Sequence, residues 1–99
     1  MSLRLNISST AEAELIGIWD YTAAEHGNRA ADEYLTDLDT TMHRLLEYPL
    51  LGEDCSNIRQ GYRRVKARAH TIYYVPHEDG IEIMRVMSPR QDVRRRILE

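Results

Sequence analysis

The stretch from Gly61 to Asp92 constrains the fold more than any other part of the chain. Val65, Ala67 and Ala69 alternate with positively charged residues, and a period of two is typical of a strand with one buried face. The run Ile72–Val75 that follows is β-branched and aromatic, which also favours a strand. The stretch therefore predicts the sheet on which the rest of the chain is organised.

A second apolar run returns after a turn. Proline and glycine bound this turn at Pro76–Gly80, and Ile81–Met87 is apolar again. Together the patterns predict two or three antiparallel strands joined by short connections. Between Ala67 and His70 the sequence fits either a tight corner between two short strands or one continuous strand. The chain then breaks at Ser88–Pro89, and a basic helix is predicted for Arg90–Leu98.

Two helices are predicted before this hairpin, after a short first strand at Leu3–Ile7. Ser9 and Glu12 have the spacing of a capping box, which opens a helix. Gly27 predicts the end of this helix, and Asn28 is predicted to cap the next one.

Each predicted helix has one apolar face. In the second helix, apolar residues recur at three- and four-residue steps up to Pro49, and most acidic residues fall on the other side. In the first helix Leu15, Ile18 and Trp19 share a face, and Trp19 is expected to pack against the sheet. Neither helix could bury its apolar face alone, so an αα-hairpin covering the sheet is predicted. One α+β domain spanning residues 1–99 is therefore expected.

Composition limits the class of protein. Of the 99 residues, 42% are hydrophobic and 29% are charged, as in a globular domain. No apolar run is long enough to cross a membrane, and no signal-peptide pattern is present, so no membrane partner is expected. Cys55 is the single cysteine, which excludes a disulfide within the chain and fits a reducing, cytoplasmic setting.

Charge is distributed unevenly along the chain. Residues 1–58 hold three arginines against eleven acidic residues, a net charge of −8, whereas residues 59–99 hold ten cations against five acidic residues, a net charge of +5. Nine of those ten cations are arginines, whose planar fork favours two-pronged contacts with carboxylates and phosphates. The basic half indicates a binding face on the sheet. The alternative is a solvated face whose charges pair with the protein's own helices.

Few residues indicate catalysis or metal binding. The four histidines share no ligand spacing with one another or with Cys55, so no metal or other cofactor is expected. Glu53 and Asp54 are adjacent in the predicted loop 49–60, where exposure to solvent is a simpler role than acid–base chemistry.

Specific roles can be proposed for two residues of the predicted strands, His70 and Arg85. His70 could act as a general acid beside the basic strand residues, although no paired base is evident. Arg85 shares the strand parity of Ile83 and Met87, in an otherwise apolar run. An unpaired buried charge is costly, so Arg85 is expected to reach a carboxylate or the edge of the sheet. The two alternatives are an ion pair with Asp92 or an acid of the first helix, and a ligand-binding role.

Several segments, in this order and spacing, carry a resemblance over nearly the whole chain. They are Glu14-Leu15 and Ile18-Trp19 on the first helix, Tyr48-Pro49 and Gly52 after the second, Gly61–Arg64 and His70–Tyr74 in the hairpin, and Arg85–Met87 followed by Arg90 and Asp92. In these segments the chain resembles the ParE-type toxins of the RelE/ParE superfamily of bacterial toxin–antitoxin systems.

This resemblance implies a β-α-α-β-β-β fold with a short C-terminal helix, in which a helical hairpin packs on an antiparallel sheet. It also implies a type II toxin that stabilises a plasmid or chromosome and inhibits DNA gyrase. Neutralisation by a cognate ParD-like antitoxin, with a ribbon-helix-helix head and an amphipathic tail, is implied as well. No cofactor and no direct sequence-specific DNA binding are expected.

The expected partner-binding residues are basic, with one acid at the predicted start of the last helix. They are Arg63, Arg64, Arg68, Arg85, Arg90, Asp92 and Arg94. No catalytic residue is expected in a gyrase inhibitor.

Two alternatives remain open: a RelE-type, ribosome-dependent mRNA endoribonuclease, and an inactive interaction module of the same fold. In a nuclease, His70 would be the acid, and the cations around it would stabilise the phosphate transition state. Those cations are Arg63, Arg64, Lys66, Arg85 and Arg90. Ser88 stands where many relatives carry a histidine after the last strand, so a proton donor is missing there and gyrase inhibition is favoured.

Overall fold

Seven elements follow one another in residues 3–89, the part of the chain that this computed structural model describes. They are β1 (Arg4–Ile7), α1 (Ser9–His26), α2 (Asn28–Glu47), β2 (Glu53–Asp54), β3 (Arg63–Ala67), β4 (His70–His77) and β5 (Gly80–Met87). The predicted α+β architecture is confirmed. The helix predicted for Arg90–Leu98 lies outside the described residues, as do the candidate site residues Arg90, Asp92 and Arg94.

The strands form one mixed sheet in the order β1-β5-β4-β3-β2. The pairs from β2 to β5 are antiparallel, but β1 runs parallel to β5, with Arg4 opposite Gly80 and Ile7 opposite Ile83. The sheet is therefore not wholly antiparallel, because the chain leaves β1 through the helical hairpin and β1 lies beside the last strand. The two-residue β2, which was expected to be loop, pairs with Arg63 and Arg64 of β3.

Both helix starts differ from prediction by one residue. Ser8, not Ser9, is the N-cap of α1: its Oγ accepts the N–H of Ala11 (3.0 Å) and donates to the carbonyl of Met84 in β5 (2.8 Å). The cap thus joins the helix start to the sheet. Gly27 ends α1 as predicted and is also the N-cap of α2, so Asn28 is the first helical residue rather than the cap. The backbone φ of Gly27 is 94°, a left-handed value that favours glycine.

The main core lies between the helices and one face of the sheet. Its buried members are Ala11, Leu38, Met42, Leu45, Ala67, Ile72, Tyr74, Ile81, Ile83 and Val86. Trp19 is absent from this core, so the expectation that it packs against the sheet is wrong. Its indole N–H instead donates to Asp32 of α2 (2.9 Å) at an exposed position, because the two helices also pack against each other.

A bulge in β5 changes which side chains face the helices. Tyr73 pairs with Arg85 and Tyr74 with Ile83, so one extra residue, Met84, interrupts the register. The predicted common face of Ile83 and Met87 is therefore wrong, because Met87 lies in a second cluster on the other face of the sheet.

The loop between β2 and β3 covers this second cluster. Cys55, Tyr62, Tyr73 and Met87 are its buried members. Burial raises the pKa of the Cys55 thiol, which is not the condition of a reactive nucleophile. Within residues 3–89, neither helix is long and apolar enough to span a membrane.

Candidate functional site

Arg63 stabilises the loop that leads from α2 into the sheet. Its Nε and Nη2 donate to the carbonyl of Gly52 (3.0 and 2.7 Å), and Nη2 also donates to that of Leu50 (3.3 Å). From the core, the Tyr74 hydroxyl donates to the carbonyl of Pro49 (2.8 Å) and accepts the N–H of Gly52 (2.9 Å). Arg63 thus has a structural role here.

Arg64 and Lys66 lie on the face of the sheet opposite the helices. Arg64 donates through Nε to the carboxylate of Glu53 on β2, and this bond raises the pKa of the guanidinium. Lys66 is exposed and makes no salt bridge with any carboxylate of residues 3–89. With Thr71 and Tyr73 these residues line a shallow cavity of about 330 Å³.

Arg68 occupies a tight corner between β3 and β4, with a positive φ of 57°. Of the two predicted alternatives for this segment, the corner is correct. The guanidinium lies 4.8 Å from the ring centroid of Tyr34 on α2 and 3.4 Å from the carboxylate of Asp37. The side chain of Arg68 therefore joins the hairpin corner to α2.

His70 contacts the helices. Its Nδ1 is 2.6 Å from the hydroxyl of Tyr34, and that hydroxyl accepts the N–H of Ala69 (3.0 Å). Burial lowers the pKa of His70, although the nearby carboxylate of Glu14 acts in the opposite direction. In the neutral ring, Nδ1 either accepts the proton of this hydroxyl or donates its own proton to it, depending on the tautomer.

Arg85 forms an ion pair with the first helix, one of the two partners predicted for it. Its Nη2 lies 3.0 Å from Oε2 of Glu14, and the two side chains are only 14% and 17% exposed. Glu14 also accepts the backbone N–H of Val86 (2.9 Å). Arg85 is therefore bound internally on the helix side of the molecule.

The sheet separates the residues of the nuclease alternative. His70 points to the helix side, where Tyr34 holds it, whereas Arg64 and Lys66 lie on the opposite face with Thr71 and Tyr73. Arg63 holds the loop and Arg85 pairs with the first helix. No single surface of residues 3–89 therefore presents the histidine together with the cations.

Three residues to which the sequence analysis gave no role hold the candidate site residues and the nearby loop in place. They are Glu14, Tyr34 and Tyr74, which hold Arg85, His70 and the loop after α2, respectively. Among residues 3–89, no cluster of three or more histidine, cysteine or acidic residues could hold a metal ion.

A groove of about 700 Å³ opens on the helix side. Its walls are α1, Tyr34 of α2 and the β3–β4 corner with His70, and Ser88 and Pro89 lie at the exit of β5. This groove is larger than the cavity lined by Arg64 and Lys66 on the other face of the sheet.

Known proteins are similar to this chain in sequence and in fold. The model of the family described as "ParE toxin of type II toxin-antitoxin system, parDE" matches residues 5–93. Toxin ParE1 of Mycobacterium tuberculosis (strain ATCC 25618 / H37Rv) is 39% identical over 98 residues, covering 98% of this chain and 100% of that protein. Toxin ParE1 of Caulobacter vibrioides is 32% identical over 88 residues, covering 89% and 91%.

One solved structure has a similar fold. It is described as the chromosomal ParDE TA system from P. aeruginosa, with a TM-score of 0.75 at 18% identity, and the match covers 87% of this chain and 95% of that one.

Proposed function

Because the chain belongs to the ParE family of toxins of type II toxin–antitoxin systems, we propose that it inhibits DNA gyrase in the cytoplasm and is neutralised by a cognate antitoxin. The toxin acts by binding gyrase rather than by catalysing a reaction of its own.

The observation that favours gyrase inhibition over RNA cleavage is that His70 lies apart from Arg64 and Lys66. A ribonuclease needs a proton donor and cations around one phosphate. Here Tyr34 holds His70 on the helix side, and the two cations lie on the other face. Ser88 offers only a hydroxyl at the exit of β5, which is a poor proton donor at neutral pH.

The antitoxin binds through an amphipathic, net acidic tail. Its charges meet those cations of the basic half that remain accessible, and its apolar residues supply most of the affinity. Lys66 is exposed, and the side chains of Arg64 and Arg68 are 37% and 47% exposed, so both arginines can exchange an internal carboxylate for one of the antitoxin. Arg63 and Arg85 support the surface from inside, and Arg90, Asp92 and Arg94 complete the proposed set.

Expression of the toxin without its antitoxin tests this proposal. We expect induction of the SOS response and gyrase-dependent DNA breaks, with intact mRNA on the ribosomes, and we expect co-expression of the antitoxin to suppress both effects. In vitro, the purified toxin should inhibit supercoiling by gyrase. Ribosome-dependent mRNA cleavage without DNA breaks would favour the RelE-type alternative, and no growth defect at all would favour an inactive interaction module.

A further inference from the structure

Four consecutive apolar residues lie exposed where the chain leaves α2. They are Tyr48, Pro49, Leu50 and Leu51, of which Tyr48, Leu50 and Leu51 are 57%, 69% and 46% exposed. Single exposed apolar side chains are ordinary, but a contiguous exposed run marks either an interaction site or a liability for aggregation. Residues 48–51, the apolar loop, are therefore a candidate surface for binding another protein.

The backbone of the apolar loop is fixed before any partner binds. The N–H of Leu51 donates to the carbonyl of Tyr48 (3.0 Å), which closes a turn. From the sheet, the hydroxyl of Tyr74 and the guanidinium of Arg63 donate to two further carbonyls of the loop (2.8 and 3.3 Å). Because the loop is already ordered, binding through its exposed side chains costs little conformational entropy.

Acidic residues flank the apolar loop. Glu47 precedes it, and Glu53 and Asp54 follow it after one glycine. The side chains of these last two residues are 66% and 64% exposed, whereas their arginine partners, Arg64 and Arg63, are only 37% and 21% exposed. The carboxylates therefore lie nearer to the solvent than the guanidinium groups that pair with them, and the rim of the loop is acidic.

The acidic rim favours gyrase over the antitoxin as the partner of this loop. The tail proposed for the antitoxin is itself acidic and would meet like charge here. Arg44, one turn before the loop, does not reverse this sign, because it lines the same shallow cavity as Asp39 and Glu47. Gyrase acts on DNA, so it has lysines and arginines where it binds the phosphate backbone, and such a surface is complementary to the rim.

We propose that the apolar loop is the anchor through which the toxin binds gyrase, at a site separate from the one that binds the antitoxin. Tyr48, Leu50 and Leu51 occupy an apolar pocket on gyrase, and the flanking carboxylates meet basic residues around that pocket. Tyrosine is enriched among the residues that dominate the binding energy of protein interfaces. The inference rests on the proposed inhibition of gyrase and assigns the apolar part of that contact.

The affinity of purified full-length variants for gyrase tests the proposal. Leu50→Ser and Leu51→Ser should each raise the Kd for gyrase by about tenfold or more, the loss expected for an anchor residue. Ile16→Ser is the matched control, since Ile16 on α1 is also apolar and 57% exposed, and its Kd should stay within about twofold of the parent's. All three variants should keep the Tm and the antitoxin affinity of the parent, because none of these side chains is buried.

The possible results separate this inference from gyrase inhibition itself. If the parent binds gyrase and both leucine variants bind it equally well, only the role of the loop is overturned. If the parent does not bind gyrase, the proposed function is overturned as well. A tenfold loss of antitoxin affinity in the leucine variants would place the antitoxin on the loop, and a parent dimer that these variants dissociate would place a second copy there. Either result would overturn the proposal.

Charge reversal at the rim gives a second, independent measurement. Glu47→Lys and Glu25→Lys change the net charge of the toxin equally, but Glu47 ends α2 beside the loop, whereas Glu25 lies at the opposite end of the helical hairpin. Glu47→Lys should slow association with gyrase by about threefold or more relative to Glu25→Lys at low salt. The difference should shrink at high salt, because exposed charges are screened. Equal association rates for the two variants at low salt would overturn the proposal.

Discussion

The carboxylate of Glu14 on α1 binds both the guanidinium of Arg85 and the backbone N–H of the next residue, Val86. β1 ends at Ile7, opposite Ile83, so within residues 3–89 no strand lies beside the edge of β5 beyond that point. Glu14 takes the place of that strand and neutralises the arginine at the same time. Helix and sheet are thus joined by one carboxylate at the edge where the bulge lies.

Removal of this carboxylate should destabilise the protein. Glu14→Ala removes this ion pair from an arginine whose side chain is only 14% exposed, and we expect a loss of about 3 kcal/mol in the free energy of unfolding measured with urea. Glu33→Ala is the matched control, because it removes the exposed pair between Arg29 and Glu33, whose side chains are 94% and 66% exposed. That control should cost less than about 0.5 kcal/mol. Equal losses of unfolding free energy in the two variants would show that the Glu14–Arg85 pair stabilises the protein no more than an exposed ion pair does.

Tyr74 should contribute to stability through its hydroxyl. Tyr74→Phe removes a donor to Pro49 and an acceptor for Gly52, and we expect a loss of about 2 kcal/mol in the free energy of unfolding. Tyr48→Phe is the control, because Tyr48 is 57% exposed and its hydroxyl group is removed from a site on the surface. Gly52→Ala should also destabilise, because a Cβ there would meet the carbonyl of Arg64 and lie 2.8 Å from the ring of Tyr74.

Protonation of His70 should destabilise the folded state. Burial lowers the pKa of His70 below the value of 6.5 that an exposed histidine has, so the unfolded state takes up the proton first as the pH falls. The stabilisation that the neutral ring gives to the folded state is fully present above pH 6.5. It is lost as the pH falls from 6.5 through the lower pKa that His70 has in the folded state. Urea titrations from pH 8 to pH 5 should show a steeper loss of stability for the parent than for His70→Asn.

If the toxin acts by binding gyrase, toxicity should depend on the arginines at positions 90 and 94 rather than on His70. If gyrase is the target, His70→Ala should leave growth inhibition nearly unchanged, provided that its melting curve shows a folded protein. Arg90→Glu and Arg94→Glu should reduce growth inhibition. A nuclease would give the reverse pattern, with a loss of about 10²–10⁴-fold in His70→Ala and none in the arginine variants.

Trp19 should contribute less to stability than a core tryptophan. Its indole binds Asp32 at an exposed position between the helices, so Trp19→Phe should lower the free energy of unfolding by only about 1 kcal/mol. Asp32→Ala removes the same hydrogen bond from the other side and should have a similar effect. A loss above about 3 kcal/mol in Trp19→Phe would show that the ring is part of a tightly packed core.

The period-two pattern of β3 and the helical spacing in α2 predicted their elements because local backbone geometry determines which side chains share a face. Val65 and Ala67 do face the core, as does Leu38 of α2. The resemblance to a family then supplied the order of the elements. These predictions needed no knowledge of which segments meet.

Features that depend on distant segments were not predicted. The parallel pairing of Leu5 with Ile81 joins residues far apart in sequence, and nothing local indicates it. The bulge at Met84 could not be predicted either, because a bulge is defined by the pairing of a strand with its neighbour and not by the strand's own sequence. Trp19 was misplaced because its face of α1 turns toward α2, and periodicity alone does not tell a neighbouring helix from a sheet.

The parallel pairing of β1 with β5 also bears on synthesis of the toxin. The first strand can join the sheet only after the final one has been made, so the sheet closes late and through contacts of long sequence separation. Truncated products that end before β5 lack the strand between β1 and β4. Translation that terminates before β5 should therefore yield fragments with an incomplete sheet, which are subject to proteolysis, and the folded toxin can form only after Gly80–Met87 has been synthesised.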